Sequence, residues 1–341
     1  MRVFAQQRYH SLLVAVLAGF GLAGSGCADL MRIQAESHVQ DGEALLEQNE
    51  LAAAIEEFEA ATKLDPQLAV AHSKMGIIYR RMGDYDRAID SFAEAVRLSP
   101  RSFVDTFNLA QLYHFTKRIH DAIEAYLHAC DLRPDDFDAN LNLGVCYQQI
   151  EDYGLAVERF QRAVSIDPDR PHAYVNLGVA LDRQGKYYEA ISAYKNALER
   201  DNHQPLVLVN LAYTYVNQDR LKMAKKTLQQ AVQMDPSLAA GHEALGYCEF
   251  RLQELDGAEA SYREALRLNP RLASAYAGLG SIEMLKHLNQ DPAAKQELAL
   301  EYWHRSLELD ANQPKIRALI DKYNVPRAHP DTILLGTHQA D

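Results

Sequence analysis

Residues 137–170 read FDANLNLGVCYQQIEDYGLAVERFQRAVSIDPDR. Counted from Phe137, Asn142 is position 6, Gly144 position 8, Ala156 position 20, Phe160 position 24, Ala163 position 27 and Pro168 position 32. The proline ends a helix, because it lacks the amide proton and restricts the residue before it. Moving outward in steps of 34 residues, the same beat falls on Pro66, Pro100, Pro134, Pro236 and Pro270; its silent position, Asn202, is followed by Pro205. A fixed period of this length marks an array of helical repeats rather than a globular enzyme.

Eight units begin near Ala35, Ala69, Phe103, Phe137, Pro171, Pro205, Ala239 and Ala273. Position 8 carries Gly42, Gly76, Ala110, Gly144, Gly178, Ala212, Gly246 and Gly280. Position 20 is alanine from Ala54 to Ala258, and position 24 carries Phe58, Phe92, Tyr126, Phe160, Tyr194, Leu228 and Tyr262. Small residues at 8 and 20 let two helices of a hairpin approach, and the large residue at 24 with Ala at 27 is expected to pack against the neighbouring hairpin. Pro171 and Pro205 stand at position 1, where a first helical turn tolerates proline.

These residues resemble the tetratricopeptide family over roughly residues 35–311. The resemblance implies an all-α fold, a right-handed superhelical α-solenoid of stacked antiparallel helix hairpins, with first helices lining a concave groove. The eighth unit departs from the register. Its first helix is expected to run to about Lys286, and Asp291-Pro292 reads as the N-cap and first residue of the next helix. The signature then returns seven residues late as Ala299, Trp303, Ser306 and Ala311. Residues 312–324 hold a capping helix, and 325–341 form a flexible tail.

A net charge of -12 argues against nucleic acid, which is read by clustered Lys and Arg. Cys130, Cys146 and Cys248 are too few for a disulfide framework and sit at helical positions, although Cys130 and Cys146 lie on consecutive helices and leave one bridge open. No HExxH, phosphate loop, nucleophile elbow or paired CxxC occurs. His38 and His242 fall at position 4, a packing slot, and read as structural. The chain is therefore expected to be non-catalytic and to need no cofactor or metal.

Position 6 carries Asn108, Asn142, Asn176 and Asn210 in four consecutive units. A primary amide offers donor and acceptor together, so a ladder of them can grip the backbone of an extended peptide without reading its side chains. Comparable ladders belong to the repeat domain of O-linked N-acetylglucosamine transferases and to chaperone-binding repeat proteins. An inter-repeat structural role for these asparagines stays open. At positions 9 and 12, Tyr213, Tyr247 and Phe250 turn the C-terminal part of the groove aromatic, either as an anchor pocket or as packing between repeats. The lysine of the two-carboxylate clamp is replaced at position 5 by Phe107, Leu141, Val175 and Val209, which disfavours a C-terminal acidic motif as the cargo.

Residues 1–26 read as a signal peptide: Arg2 and Arg8 precede an uncharged stretch from Ser11 to Gly26. Leu22-Ala23-Gly24-Ser25-Gly26-Cys27 resembles a bacterial lipobox, imperfectly because Gly24 stands where leucine is preferred. Cleavage near Ala28 and an uncleaved anchor are the alternatives. Lipidation at Cys27 implies a tether over 27–34 and a lipid-anchored protein at the periplasmic face of the outer membrane. The chain so read resembles outer-membrane tetratricopeptide lipoproteins that assist pilus assembly or adapt cell-wall hydrolases. The expectation is a membrane-tethered scaffold that binds a protein partner or extended peptide in its groove. A passive or self-associating array with binding on its convex face is the alternative.

Overall fold

The computed structural model describes residues 25–291 and 295–324, and the chain divides into two compact units, residues 1–152 and 153–341. In the first unit α1 (Ser25–Glu47) pairs with α2 (Leu51–Leu64), α3 (Ala69–Met82) with α4 (Tyr85–Leu98), and α5 (Phe103–Phe115) with α6 (Ile119–Leu132); α7 (Phe137–Gln149) follows. The second unit opens with α8 (Tyr153–Ile166) and continues through the hairpins α9 (Pro171–Arg183)/α10 (Tyr187–Arg200) and α11 (Pro205–Asn217)/α12 (Leu221–Met234). It ends with α13 (Ala239–Arg251)/α14 (Leu255–Leu268), α15 (Ala273–Leu288)/α16 (Gln296–Leu309) and the single helix α17 (Pro314–Tyr323). Among the described residues there is no strand, and within each unit the hairpins stack as an all-α solenoid.

Local chemistry fixes the helix ends. The carboxylate of Asp84 accepts the Arg87 amide at 3.2 Å, and that of Asp136 accepts the Ala139 amide at 2.8 Å, each satisfying an orphan donor at a helix start. Pro171, Pro205 and Pro314 open α9, α11 and α17. One residue is left-handed at position 15 of each repeat, after its first helix: Asn49, Gly83, Lys117 and Glu151 in the first unit, then Gly185, Asp219 and Gln253 in the second. In the eighth hairpin that conformation moves three residues on, to Gln290, because α15 is longer.

The repeat signature is the core. Ala54, Ala88, Ala122, Ala156, Ala190, Ala224 and Ala258 at position 20 are all 0% exposed, as are the seven alanines at position 27. A Cβ added at Gly42, Gly76 or Gly178 would lie 2.7 to 2.9 Å from the ring of Phe58, Phe92 or Tyr194. The ring at position 24 thus seals the gap of its own hairpin, and Tyr262 also packs on Gly278 of the neighbouring one, as expected for this position. Filling that space forces overpacking worth about 1–3 kcal/mol.

In the eighth hairpin Ala299, Trp303 and Ser306 take the core positions of the late register, at 0%, 1% and 0% exposure. Trp303 lies over Gly280, its Nε1 donates to Ala277 O at 3.2 Å, and Ser306 Oγ donates to Ala273 O at 2.7 Å. The second helix of this hairpin begins at Gln296, not at the expected Asp291-Pro292 step; Pro292 lies outside the described residues. The extra residues extend α15 and lengthen the turn, so the helical register can restart without disturbing the core.

The expected signal peptide falls on residues of which only the last two, Ser25 and Gly26, are described. Residues 27–34, expected as a tether, run inside α1. The expected tail, 325–341, also lies outside the described residues. Among the described residues no helix is long and apolar enough to cross a membrane. Cys130, Cys146 and Cys248 are buried, and among the described residues no disulfide joins Cys130 to Cys146. Burial alone pushes the Cys146 thiol up to about 12, which keeps it protonated and unreactive at neutral pH. His38 and His242 are structural: His38 Nδ1 pairs with Glu57 Oε2 at 2.6 Å, and His242 Nε2 bonds Pro236 O at 3.1 Å.

Candidate functional site

In the first unit Asn108 stands on α5 and Asn142 on α7, both half-buried. They are not equivalent. Arg80 Nη1, on the preceding hairpin, donates to Asn108 Oδ1 at 2.8 Å, so this amide is engaged between repeats. The Asn142 side chain forms no hydrogen bond among the described residues. In the second unit Asn176 on α9 and Asn210 on α11 are likewise half-buried and, among the described residues, without a side-chain hydrogen bond. These partly exposed amides keep donor and acceptor capacity that water can fill.

Polar contacts at positions 12 and 13 join successive first helices. His114 and Gln149 are 3.0 Å apart in the first unit, and Asn217 Nδ2 donates to Asp182 Oδ2 at 3.3 Å in the second. Burial, aided by Lys117, lowers the His114 pKa, so its imidazole stays neutral at pH 7.

The three aromatic residues singled out from the sequence come together in the second unit. Tyr213 from α11, with Tyr247 and Phe250 from α13, lines a cavity of about 410 Å³ that Tyr262 and Gly278 help to close. Tyr213 and Tyr247 remain 40% and 38% exposed, so their rings are available to a ligand rather than spent in the core. Burial, with Glu243 adding to it, pushes the Tyr213 phenol up to about 12; it acts only as a neutral hydroxyl.

Sequence reasoning missed Glu243, Ser274 and Gly278 of this cavity. A glutamate at position 5 is unremarkable among 47 acidic residues. The available signal was position 6, where asparagine gives way to Ala244 and Gly278.

A family model described as the cilia and flagella-associated protein 70 C-terminal domain matches residues 19–270. No curated protein sequence matches the chain. Among solved structures, the C-terminal part of a TPR repeat-containing protein from Cytophaga hutchinsonii is 18% identical with a TM-score of 0.59, over 71% of this chain and 99% of that one. A tetratricopeptide repeat protein from Parabacteroides merdae is 17% identical with a TM-score of 0.51, over 73% and 98%. The Cut9–Hcn1 assembly of the APC/C gives 16% identity and a TM-score of 0.55, over 83% of this chain and 54% of that one. At these identities the likeness is one of fold alone, a stack of helix hairpins. With more than half of its length matched, the chain belongs to the tetratricopeptide-repeat family of the cilia and flagella-associated protein 70 C-terminal domain.

Proposed function

We propose that this protein is a non-catalytic, membrane-tethered scaffold that holds a protein partner or an extended peptide against its first-helix face, and so assembles or localises an envelope complex. The observation that carries the proposal is the pair of open amides at Asn176 and Asn210, at position 6 of consecutive first helices of the second unit; Asn142 holds the same position, equally open, in the first. A partly exposed amide that no other side chain or backbone group engages is free to exchange water for a peptide group, and it does so whatever side chain that group carries. Lipidation at Cys27 would supply the tether, and the periplasmic face of the outer membrane the location.

The test is a crosslinking pull-down from envelope membranes, with wild type against a combined Asn142→Ala, Asn176→Ala and Asn210→Ala variant of equal helicity by circular dichroism. Loss of one specific partner is the expected result; an unchanged partner set sinks the proposal. The Arg80–Asn108 bond favours a second reading at that one rung, a purely structural amide. Asn108→Ala alone is then expected to lower stability by about 1 kcal/mol and to leave partner capture intact. A Cys27→Ala variant that still partitions into membranes would remove the tether from the scheme.

A further inference from the structure

Position 6 changes character at the end of the array. After Asn210 it holds Ala244 and then Gly278. The loss of a side chain at Gly278 is sterically required: a Cβ there would lie 2.4 Å from Cε2 and Cζ of Tyr262. The Tyr262 phenol occupies the space that an asparagine would take, and it forms one wall of the cavity whose other rings are Tyr213, Tyr247 and Phe250.

Among the described residues that line this aromatic cavity, Glu243 is the one that carries a charge. Ser274 Oγ donates to Glu243 Oε1 at 2.5 Å, which orients the carboxylate and leaves it capacity to accept further hydrogen bonds. The nearby cation is already matched: Arg251 donates through Nη1 to the Tyr247 hydroxyl and pairs through Nη2 with Asp219, each at 3.0 Å. Arg251 therefore pins the Tyr247 ring without neutralising Glu243.

Aromatic faces attract a cation through their quadrupole, and a carboxylate adds Coulomb attraction and a charge-assisted hydrogen bond. The same pair repels an anion and gives a neutral polar group nothing comparable. We propose that this cavity is an anchor site for a basic side chain, an arginine guanidinium or a lysine ammonium, on the partner held by the first-helix face; the identity of that ligand class rests on the peptide-holding reading above. The site adds side-chain selectivity to a face whose asparagines read only backbone. A net charge of -12 on the whole chain favours the same class of partner over longer range.

The test uses the full chain and three probes: the acetylated amides of arginine, lysine and norleucine, the last a neutral control. Saturation-transfer NMR is expected to show both cationic probes bound, with the norleucine probe weaker by about tenfold, and the preference shrinking in high salt. Glu243→Gln keeps the side-chain size and an oxygen for Ser274, and it is expected to abolish the preference for the cationic probes. Tyr213→Leu, at a partly exposed position that the fold tolerates, is expected to weaken the arginine probe by several-fold. Equal binding of the three probes, or full arginine binding in Glu243→Gln, overturns the proposal. Partner capture that depends on the asparagines while the arginine probe goes unbound overturns the anchor alone. Cation binding that persists while asparagine loss leaves capture unchanged supports the cavity as a cation site and overturns the peptide-holding reading instead.

Discussion

The hairpins α9/α10 and α13/α14 obey one register and present different faces. In the first, Tyr194 lies over Gly178 of its own hairpin, and the hairpin that follows carries Asn210 at position 6. In the second, Tyr262 lies over Gly246, where an added Cβ would be 3.0 Å from the ring, and it also closes on Gly278 of the hairpin that follows. The contrast teaches that one side chain at position 6 decides whether a repeat shows a polar rung or an aromatic pocket. The core beneath is the same in both.

The largest effect is expected from removing the support of the pocket side. Trp303 is 1% exposed, fills the space over Gly280 and donates to Ala277, a residue of the cavity wall. Trp303→Ala is expected to cost about 3–5 kcal/mol in urea unfolding and to abolish arginine-probe binding with it. An ordinary surface-sized loss would show that α16 and α17 do not hold the eighth hairpin in place.

Restoring the ladder residue tests the comparison directly. Gly278→Asn drives a side chain into the Tyr262 ring and is expected to cost about 1–3 kcal/mol and to close the pocket. Combining it with Tyr262→Leu, the type present as Leu228 in the sixth repeat, is expected to recover most of the stability but none of the arginine binding. Thermal melts of the single and double variants decide whether position 24 and position 6 are coupled in this way.

The turns of the same two hairpins give a smaller effect of opposite sign. Gly185 has φ of 75° and Gln253 φ of 63°, the left-handed region that costs a residue with a Cβ about 1–2 kcal/mol. Gly185→Ala is expected to destabilise by about 1 kcal/mol and Gln253→Gly to stabilise by up to that amount.

The smallest effect is a slope with pH. Tyr213 ionises near 12 in the folded chain against an ordinary value of 10, so the folded state binds more protons than the unfolded between those values. Its contribution is whole below pH 10 and is lost as pH rises towards 12. Tyr213 is 40% exposed, so solvent discounts the effect, and Tyr213→Phe is expected to flatten the decline of stability over this range only slightly. An unchanged slope would place the phenol in freer contact with water than the cavity geometry implies.

Much of the fold was legible because proline, glycine and alanine act through sterics that tolerate few substitutes. The positions of Gly76, Ala88, Phe92 and Ala95 recur at fixed offsets, and all are buried as their spacing required. The left-handed residue at position 15 was not legible, because Asn49, Lys117, Glu151 and Asp219 share no chemistry; the stacking of the hairpin imposes that conformation on whatever residue is there. The Asp291-Pro292 step read as a helix start falls partly outside the described residues, and α16 as described runs from Gln296 with Ala299 and Trp303 buried.

The sequence alone supplied the four asparagines and the three aromatic residues, since a period of 34 gives each an equivalent position in its own repeat. It could not separate Asn108 from Asn142, because the difference lies in the reach of Arg80 from another hairpin. Nor could it place Glu243 beside Ser274, or Tyr262 against Gly278, which are 31 and 16 residues apart in the chain. The repeat period determined which residues hold equivalent positions in their repeats, because it is a property of the chain. Which of them are left open to bind was decided only by tertiary structure, because hydrogen bonding and cavity volume depend on side chains that meet across hairpins.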